Sequence, residues 1–271
     1  MARPTWLVNL IKKTFPNVKL IAKLTNVPLI GNLIDKLLFE GDDIIYLPRD
    51  EILAVNREIE GPENVALPSQ IVEHFIRKAK HHWIMNFCIC RDSMDCQDYP
   101  QHLGCLFMGE ASLDINPELG RRVSKEEALE HVKKCREAGL VHMIGRNKLD
   151  KQWLGVKPGN KLLTVCNCCP CCCLWRIAPV LNPRIGQKVS KMKGVEVHVG
   201  EECIGCGTCT QDICFVDAIH LQKGKASIDE NCRGCGRCAD ACPQGVIEVV
   251  ITNDSFVEDS IHKIDKLVDL T

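Results

Sequence analysis

The stretches CIGCGTCTQDIC (203–214) and CRGCGRCADACP (232–243) are two copies of one pattern, offset by 29 residues. Each carries three cysteines at C-x2-C-x2-C and a fourth a few residues on, so two similar halves imply two similar sites. Three thiolates on so tight a loop suit a polynuclear iron–sulfur group, with Gly205, Gly207, Gly234 and Gly236 letting backbone N–H groups approach the inorganic sulfides. Zinc also takes C-x2-C pairs, but its four-ligand sites are built as two pairs and leave the third cysteine of each triplet without a task. Apolar runs at Val195 to Val199, Ile219 to Leu221, Ala226 to Ile228 and Val246 to Ile251 flank the copies and read as short strands.

Residue by residue, the two copies resemble the bacterial two-cluster ferredoxin family. The resemblance implies that residues 198–252 form a ferredoxin-like domain with two [4Fe–4S] clusters. It also implies that the fourth cysteine of each copy serves the other cluster. One ligand set is then Cys203, Cys206, Cys209 and Cys242, and the other is Cys232, Cys235, Cys238 and Cys214. The second copy ends C-x3-C-P as the family does, at Cys242 and Pro243. The first has four residues between Cys209 and Cys214, and Phe215 where proline is usual. That departure lengthens the loop before Cys214 but leaves eight thiolates.

The chain has 271 residues, 45% of them hydrophobic, and needs no disulfide staple to build a core. Of its nineteen cysteines, all but Cys135 fall into three tight groups, which points to metal. The start, MARPTWLVNLIKKTF, lacks a signal peptide's order of charge, apolar run and cleavage site, so a reducing cytoplasm is expected. Nowhere do 18 apolar residues run uninterrupted. A net charge of −1 gives no reason to expect nucleic acid. The first 40 residues, however, hold six basic side chains against Asp35 and Glu40.

Ten further thiols lie upstream: Cys88, Cys90, Cys96 and Cys105, then Cys166, Cys168, Cys169, Cys171, Cys172 and Cys173. Adjacent cysteines such as Cys168 and Cys169 diverge and do not easily wrap one cubane, so some must bind something else or pack inertly. A subset suffices for one or two additional iron–sulfur clusters, with room for a noncubane arrangement. CICR at Cys88 to Arg91, GLVH at Gly139 to His142 and CNCCPCCC at 166–173 also resemble an N-terminal module of ferredoxin-fused iron–sulfur proteins from anaerobes. That likeness spans about residues 80–176 and implies no particular reaction.

Residues 1–60 read as an amphipathic helical segment broken at Pro16 and Pro28, with Ile30, Leu33, Ile34, Leu37 and Leu38 at helical spacing. Such a stripe faces a core or partner subunit, or an anionic membrane surface. A strand is expected at Asp43 to Leu47. In 61–180, a cysteine-rich metal-binding domain, Ile71, Val72, Phe75, Ile76 and Ala79 mark one helix. A capping box from Ser124 to Glu127 starts another that stops at Gly139 and buries Cys135. His142 reads as a helix-end hydrogen-bonding group before a ligand or proton donor, and Arg91, Arg121 and Arg122 as surface ion pairs before groups that stabilise a reduced, negatively charged cluster or bind an anionic substrate. Residues 181–197 read as a linker and 253–271 as a tail. The class is α+β: a two-cluster ferredoxin-like domain preceded by a mainly helical cysteine-rich domain.

The expected function is electron transfer: single electrons relayed between a redox partner and a second partner, as a subunit of an oxidoreductase complex. With no G-x-G-x-x-G fingerprint, flavin chemistry would belong to a partner, either a flavoprotein or a membrane-bound quinone-linked complex met through residues 1–40. Two alternatives stand beside it: a reductase with a substrate-binding upstream cluster, and a ferredoxin with a structural zinc or interaction domain.

Overall fold

The computed structural model describes residues 2–56 and 66–271; the boundary expected near residue 60 lies outside them. Seven strands form one sheet: β1 (Asp43–Tyr46), β2 (His82–Met85), β3 (Leu106–Met108), β4 (Gly120–Val123), β5 (Val141–Arg146), β6 (Leu163–Cys168) and β7 (Val189–Lys191). Their order is β4-β2-β3-β6-β5-β1-β7, antiparallel throughout except for the parallel β1–β7 pair. The cysteine-rich region is therefore built on a sheet, where a mainly helical domain was expected.

The reason is burial on both faces. Ile45, Ile84, Leu106, Met108, Ile144 and Val165 point into one core, while Ile44, Tyr46, Trp83, Phe107, Val141 and Met143 point into cores on the other face. Strands of three to six residues that are apolar on both sides lose the alternation that identifies a strand. The first face is covered by helices Ser69–Lys78 and Lys125–Glu137. Ile71, Val72, Phe75, Ile76 and Ala79 are all buried there. Ser124 caps the second helix in a capping box with Glu127, and the chain leaves it through Gly139 at φ +74°.

Two expected non-core segments are packed into the molecule, 181–197 against the core that holds Ile44 and Tyr46, and 253–271 against the core under helix Ser69–Lys78. In 181–197, Asn182 caps a helical turn Pro183–Gly186, and β7 pairs with β1 in the register Ile44↔Val189 and Tyr46↔Lys191. Proline, glycine and lysine hid a three-residue strand whose one deeply buried side chain is Val189. In 253–271, helix Phe256–Asp265 buries Phe256, Val257 and Ile264 against the latter core, and Lys78 Nζ meets Asp265 at 2.6 Å.

The C-terminal unit has two small sheets. β8 (Val195–Val199) pairs antiparallel with β11 (Ile247–Ile251), and β9 (Ile219–Gln222) with β10 (Lys225–Ile228). Val195 and Val249 enter the main core, so this unit packs directly on the seven-stranded sheet.

At the N-terminus, helices Thr5–Thr14, Val18–Leu24 and Ile30–Ile34 break at Pro16 and Pro28 as expected. Of the expected stripe, Ile34 and Leu38 are half-buried, while Ile30, Leu33 and Leu37 are exposed.

Candidate metal centres

Each C-x2-C-x2-C loop turns through glycines in the left-handed region: Gly205 at φ +66°, Gly207 at +79°, Gly234 at +67° and Gly236 at +79°. At Gly205 a Cβ would lie 2.0 Å from the Gly224 carbonyl oxygen, so only glycine lets the loop close there. The two loops make two hollows. One is walled by Cys203, Cys206, Cys209 and Cys242, the other by Cys214, Cys232, Cys235 and Cys238. Backbone amides already aim at the sulfurs: Ala226 N–H donates to Cys203, Ala218 to Cys214 and Gly234 to Cys232, at 3.3–3.4 Å.

The extra residue before Cys214 is taken up with Asp212 at φ +55°. Phe215, in the usual place of proline, is buried with its ring 5.4 Å from that of Tyr46 on β1. Arg237 of the second loop donates to Gly139 O at 3.1 Å and to Tyr99 Oη at 2.8 Å. Both loops are thus fastened to the upstream half.

The ten upstream thiols separate into two nests. Cys88, Cys90, Cys105, Cys166, Cys168 and Cys173 form a chain of contacts, with Cys105 Sγ 3.9 Å from Cys166 Sγ and Cys168 Sγ 3.5 Å from Met143 Sδ. Five of them line a cavity of about 440 Å3, whose other wall includes Leu7, Ile11, Val18 and Ala22 of the N-terminal helices. Cys96, Cys169, Cys171 and Cys172 form the second nest, with all four sulfurs within 4.8 Å of one another. The run 166–173 thus divides between two sites, and the adjacent pairs Cys168/Cys169 and Cys172/Cys173 face different ones. Cys135 is fully buried 3.7 Å from His131 Nε2, and burial pushes its thiol up, as for an inert core cysteine.

Arg91 joins the nests. It is not a surface residue, as expected, but fully buried, because its guanidinium holds three backbone carbonyls: Pro100 at 2.9 Å, Asn167 at 2.6 Å and Leu103. No carboxylate pairs with it among the described residues; its charged neighbours are Cys88, Cys169, Cys168 and Cys105. A buried cation is costly without nearby negative charge, and metal-bound thiolates supply that charge. The hydrogen bond with Cys90, together with Arg91, draws the Cys88 thiol down to about 6 against its burial. The donor set and its counter-charge fit a thiolate-bound iron–sulfur group. Arg121, by contrast, makes an exposed pair with Glu127 at 2.7 Å.

Asn167, between Cys166 and Cys168, is buried and donates through Nδ2 to Gly104 O at 2.8 Å. Its Oδ1 therefore accepts from His142 Nδ1, also at 2.8 Å. Burial lowers the His142 pKa to about 4, with Arg136 adding to the effect, so this imidazole is neutral at pH 7. His142 lies on β5, past the helix end, and orients the cysteine run.

Tyr46 was not singled out by its residue type or spacing. It is fully buried on β1, and its hydroxyl has no hydrogen-bond partner among the described residues. Burial, then the neighbouring Cys173, Cys168, Cys235 and Cys214, push its ionisation well up, so it remains a hydrogen-bond donor. A donor among sulfurs fits iron–sulfur groups, whose sulfides and thiolates accept such bonds.

The thiols gathered around the second loop fit a ferredoxin-type iron–sulfur domain in the C-terminal part of the chain. Residues 227–248 match the family described as 4Fe-4S binding domain, which covers the second copy of the repeat. No curated protein and no solved structure matches the chain. Iron–sulfur electron transfer is the chemistry these features support.

Proposed function

We propose that the chain relays single electrons between two partners through two [4Fe–4S] clusters and at least one further iron–sulfur centre. Cys203, Cys206, Cys209 and Cys242 would hold the first cluster, and Cys214, Cys232, Cys235 and Cys238 the second. The six-thiol nest from Cys88 to Cys173 would hold the third centre. When bound, such groups accept and return one electron with little rearrangement. The observation that carries the reading is the place of Tyr46, whose side chain neighbours Cys214 and Cys235 of one set and Cys168 and Cys173 of another. With Phe215 it fills the gap between the sets and excludes water from the path.

Iron and acid-labile sulfide counts on anaerobically isolated protein, with EPR on stepwise reduction, test this. More than eight irons per chain, and magnetic interaction between an upstream centre and the ferredoxin-type clusters, are expected for two cubanes plus a neighbour. Eight irons with all six nest thiols open to alkylation would end the relay reading.

The second partner, on this reading, is reached at an anionic membrane surface. Ten of the thirteen large hydrophobic side chains exposed among the described residues lie between Trp6 and Leu37. The exposed Lys13, Lys19, Lys23 and Lys36 are interleaved with them. Apolar side chains beside lysines are how interfacial helices bind anionic lipid. No helix among the described residues is long and apolar enough to cross a bilayer. Co-sedimentation with phosphatidylglycerol-containing vesicles, weakened by salt and absent with phosphatidylcholine alone, is expected. Failure to bind either vesicle would reassign this face to a protein.

The 440 Å3 cavity favours one alternative, a reductase that binds an apolar substrate against Cys90, Cys105, Cys166, Cys168 and Cys173. A substrate-dependent change in the upstream centre's spectrum would select it over a pure relay.

A further inference from the structure

Cys96, Cys169, Cys171 and Cys172 form a site of a different kind from the other thiol sets. Cys171 Sγ lies 3.5 Å from each of Cys96, Cys169 and Cys172 Sγ, and all four sulfurs fall within 4.8 Å of one another. A single tetrahedral ion with metal–sulfur bonds of about 2.3 Å places its thiolates about 3.8 Å apart. A cubane sets each thiolate on a separate iron and needs a wider span. The chain supplies its own comparison: no three of the eight ferredoxin-type thiols come within 4.8 Å of one another among the described residues.

The local backbone also suits one small ion. The Cys172 N–H donates to Cys169 Sγ at 3.4 Å, and the Tyr99 and Asp98 amides donate toward Cys96. Buried Arg91, with Cys169 among its charged neighbours, offsets the negative charge that four thiolates leave on a divalent ion. Cys96 and Cys169 are buried and the other two half-buried, which leaves little room for a fifth ligand.

We propose that these four cysteines bind one Zn2+ in a closed tetrahedral site, separate from every iron–sulfur centre. The ion would tie the loop Cys169–Cys172 to the loop at Cys96, a link spanning 75 residues from Cys96 to Cys171. Cys168 and Cys173 flank the tied loop directly, so the zinc would sit beside the six-thiol nest without being part of it. Binding exchanges thiol protons for the metal and involves no electron transfer. The proposal does not rest on the relay reading, because it uses four thiols that reading leaves aside.

Zinc, iron and labile sulfide are counted on the whole chain isolated anaerobically from zinc- and iron-replete cells. One zinc per chain is expected, and Cys171→Ser should lose it with iron and sulfide unchanged. Cobalt incorporated in place of zinc in the unaltered chain should give the visible spectrum of a tetrahedral tetrathiolate, a readout that does not depend on any variant folding. A chain without zinc whose Cys171→Ser form loses about four irons would overturn the proposal in favour of a cluster. A single iron without added sulfide would overturn the choice of zinc.

Discussion

The two halves of this molecule collect cysteines in opposite ways. In the C-terminal half, three thiols of each set come from seven consecutive residues, and glycines at positive φ shape the loop. In the upstream half, Cys96 meets Cys171 across 75 residues and Cys105 meets Cys166 across 61, brought together only by the sheet. A loop-made site needs its loop, while a fold-made site needs the whole core behind it. The halves should therefore respond differently to the same kind of damage.

Arg91→Met gives the largest expected separation. It leaves the carbonyls of Pro100, Leu103 and Asn167 without donors, at about 1–3 kcal/mol for each group left unsatisfied. It also removes the buried counter-charge of the nests. The upstream metals should be lost while the EPR signals of the ferredoxin-type clusters persist. Loss of all signals together would show that the halves are not separable.

Phe215→Ala probes the seam between them. Removing a fully buried phenylalanine costs about 3–5 kcal/mol, which for a chain this size lowers Tm by on the order of 10 °C. If the seam joins the halves cooperatively, one thermal transition moves down. A split into two transitions, one for each set of centres, would make the halves independent folding units.

The same contrast explains what could be read from residue order. The two hollows walled by Cys203 to Cys242 were legible from spacing, because three thiols of each come from one loop, and the second copy lies within the matched 4Fe-4S binding domain. The helix from Ser124 was equally plain, since a capping box and a terminal glycine are local signals. The seven-stranded sheet was hidden because β2 and β5 are buried on both faces. The division of the run 166–173 between two nests depends on Asn167 being pinned to Gly104 and His142, contacts made far along the chain. Arg91 resembled any surface arginine until the fold buried it. Tyr46 carried no motif at all.

Tyr46→Phe sharpens the comparison at the point where the halves meet. Only the hydroxyl is removed, and it has no partner to lose among the described residues, so stability and iron content should hold. If the hydroxyl donates to a cluster sulfur, it favours the reduced, more negative form, and its loss should lower one midpoint potential by tens of millivolts. Potentiometric EPR titration reads this directly. Unchanged potentials in every centre would leave Tyr46 as packing alone.

Ser124→Ala tests how much margin the fold-made sites possess. The substitution removes the side-chain acceptor for Glu127 N–H, 3.1 Å away, and leaves only the other half of the box, the backbone N–H of residue 124 donating to the Glu127 carboxylate. Lost caps cost about 1 kcal/mol. The helix it starts carries His131, bonded to Gly104 O, and Cys135, packed beside Cys96 and Cys169. A drop in Tm of a few degrees with zinc and iron unchanged is expected, because the cap lies at the exposed end of a helix whose inner face stays packed. Loss of upstream metal from so small a change would mean that the sheet holds those thiols with almost no energy to spare, and that metal binding itself sustains the upstream half.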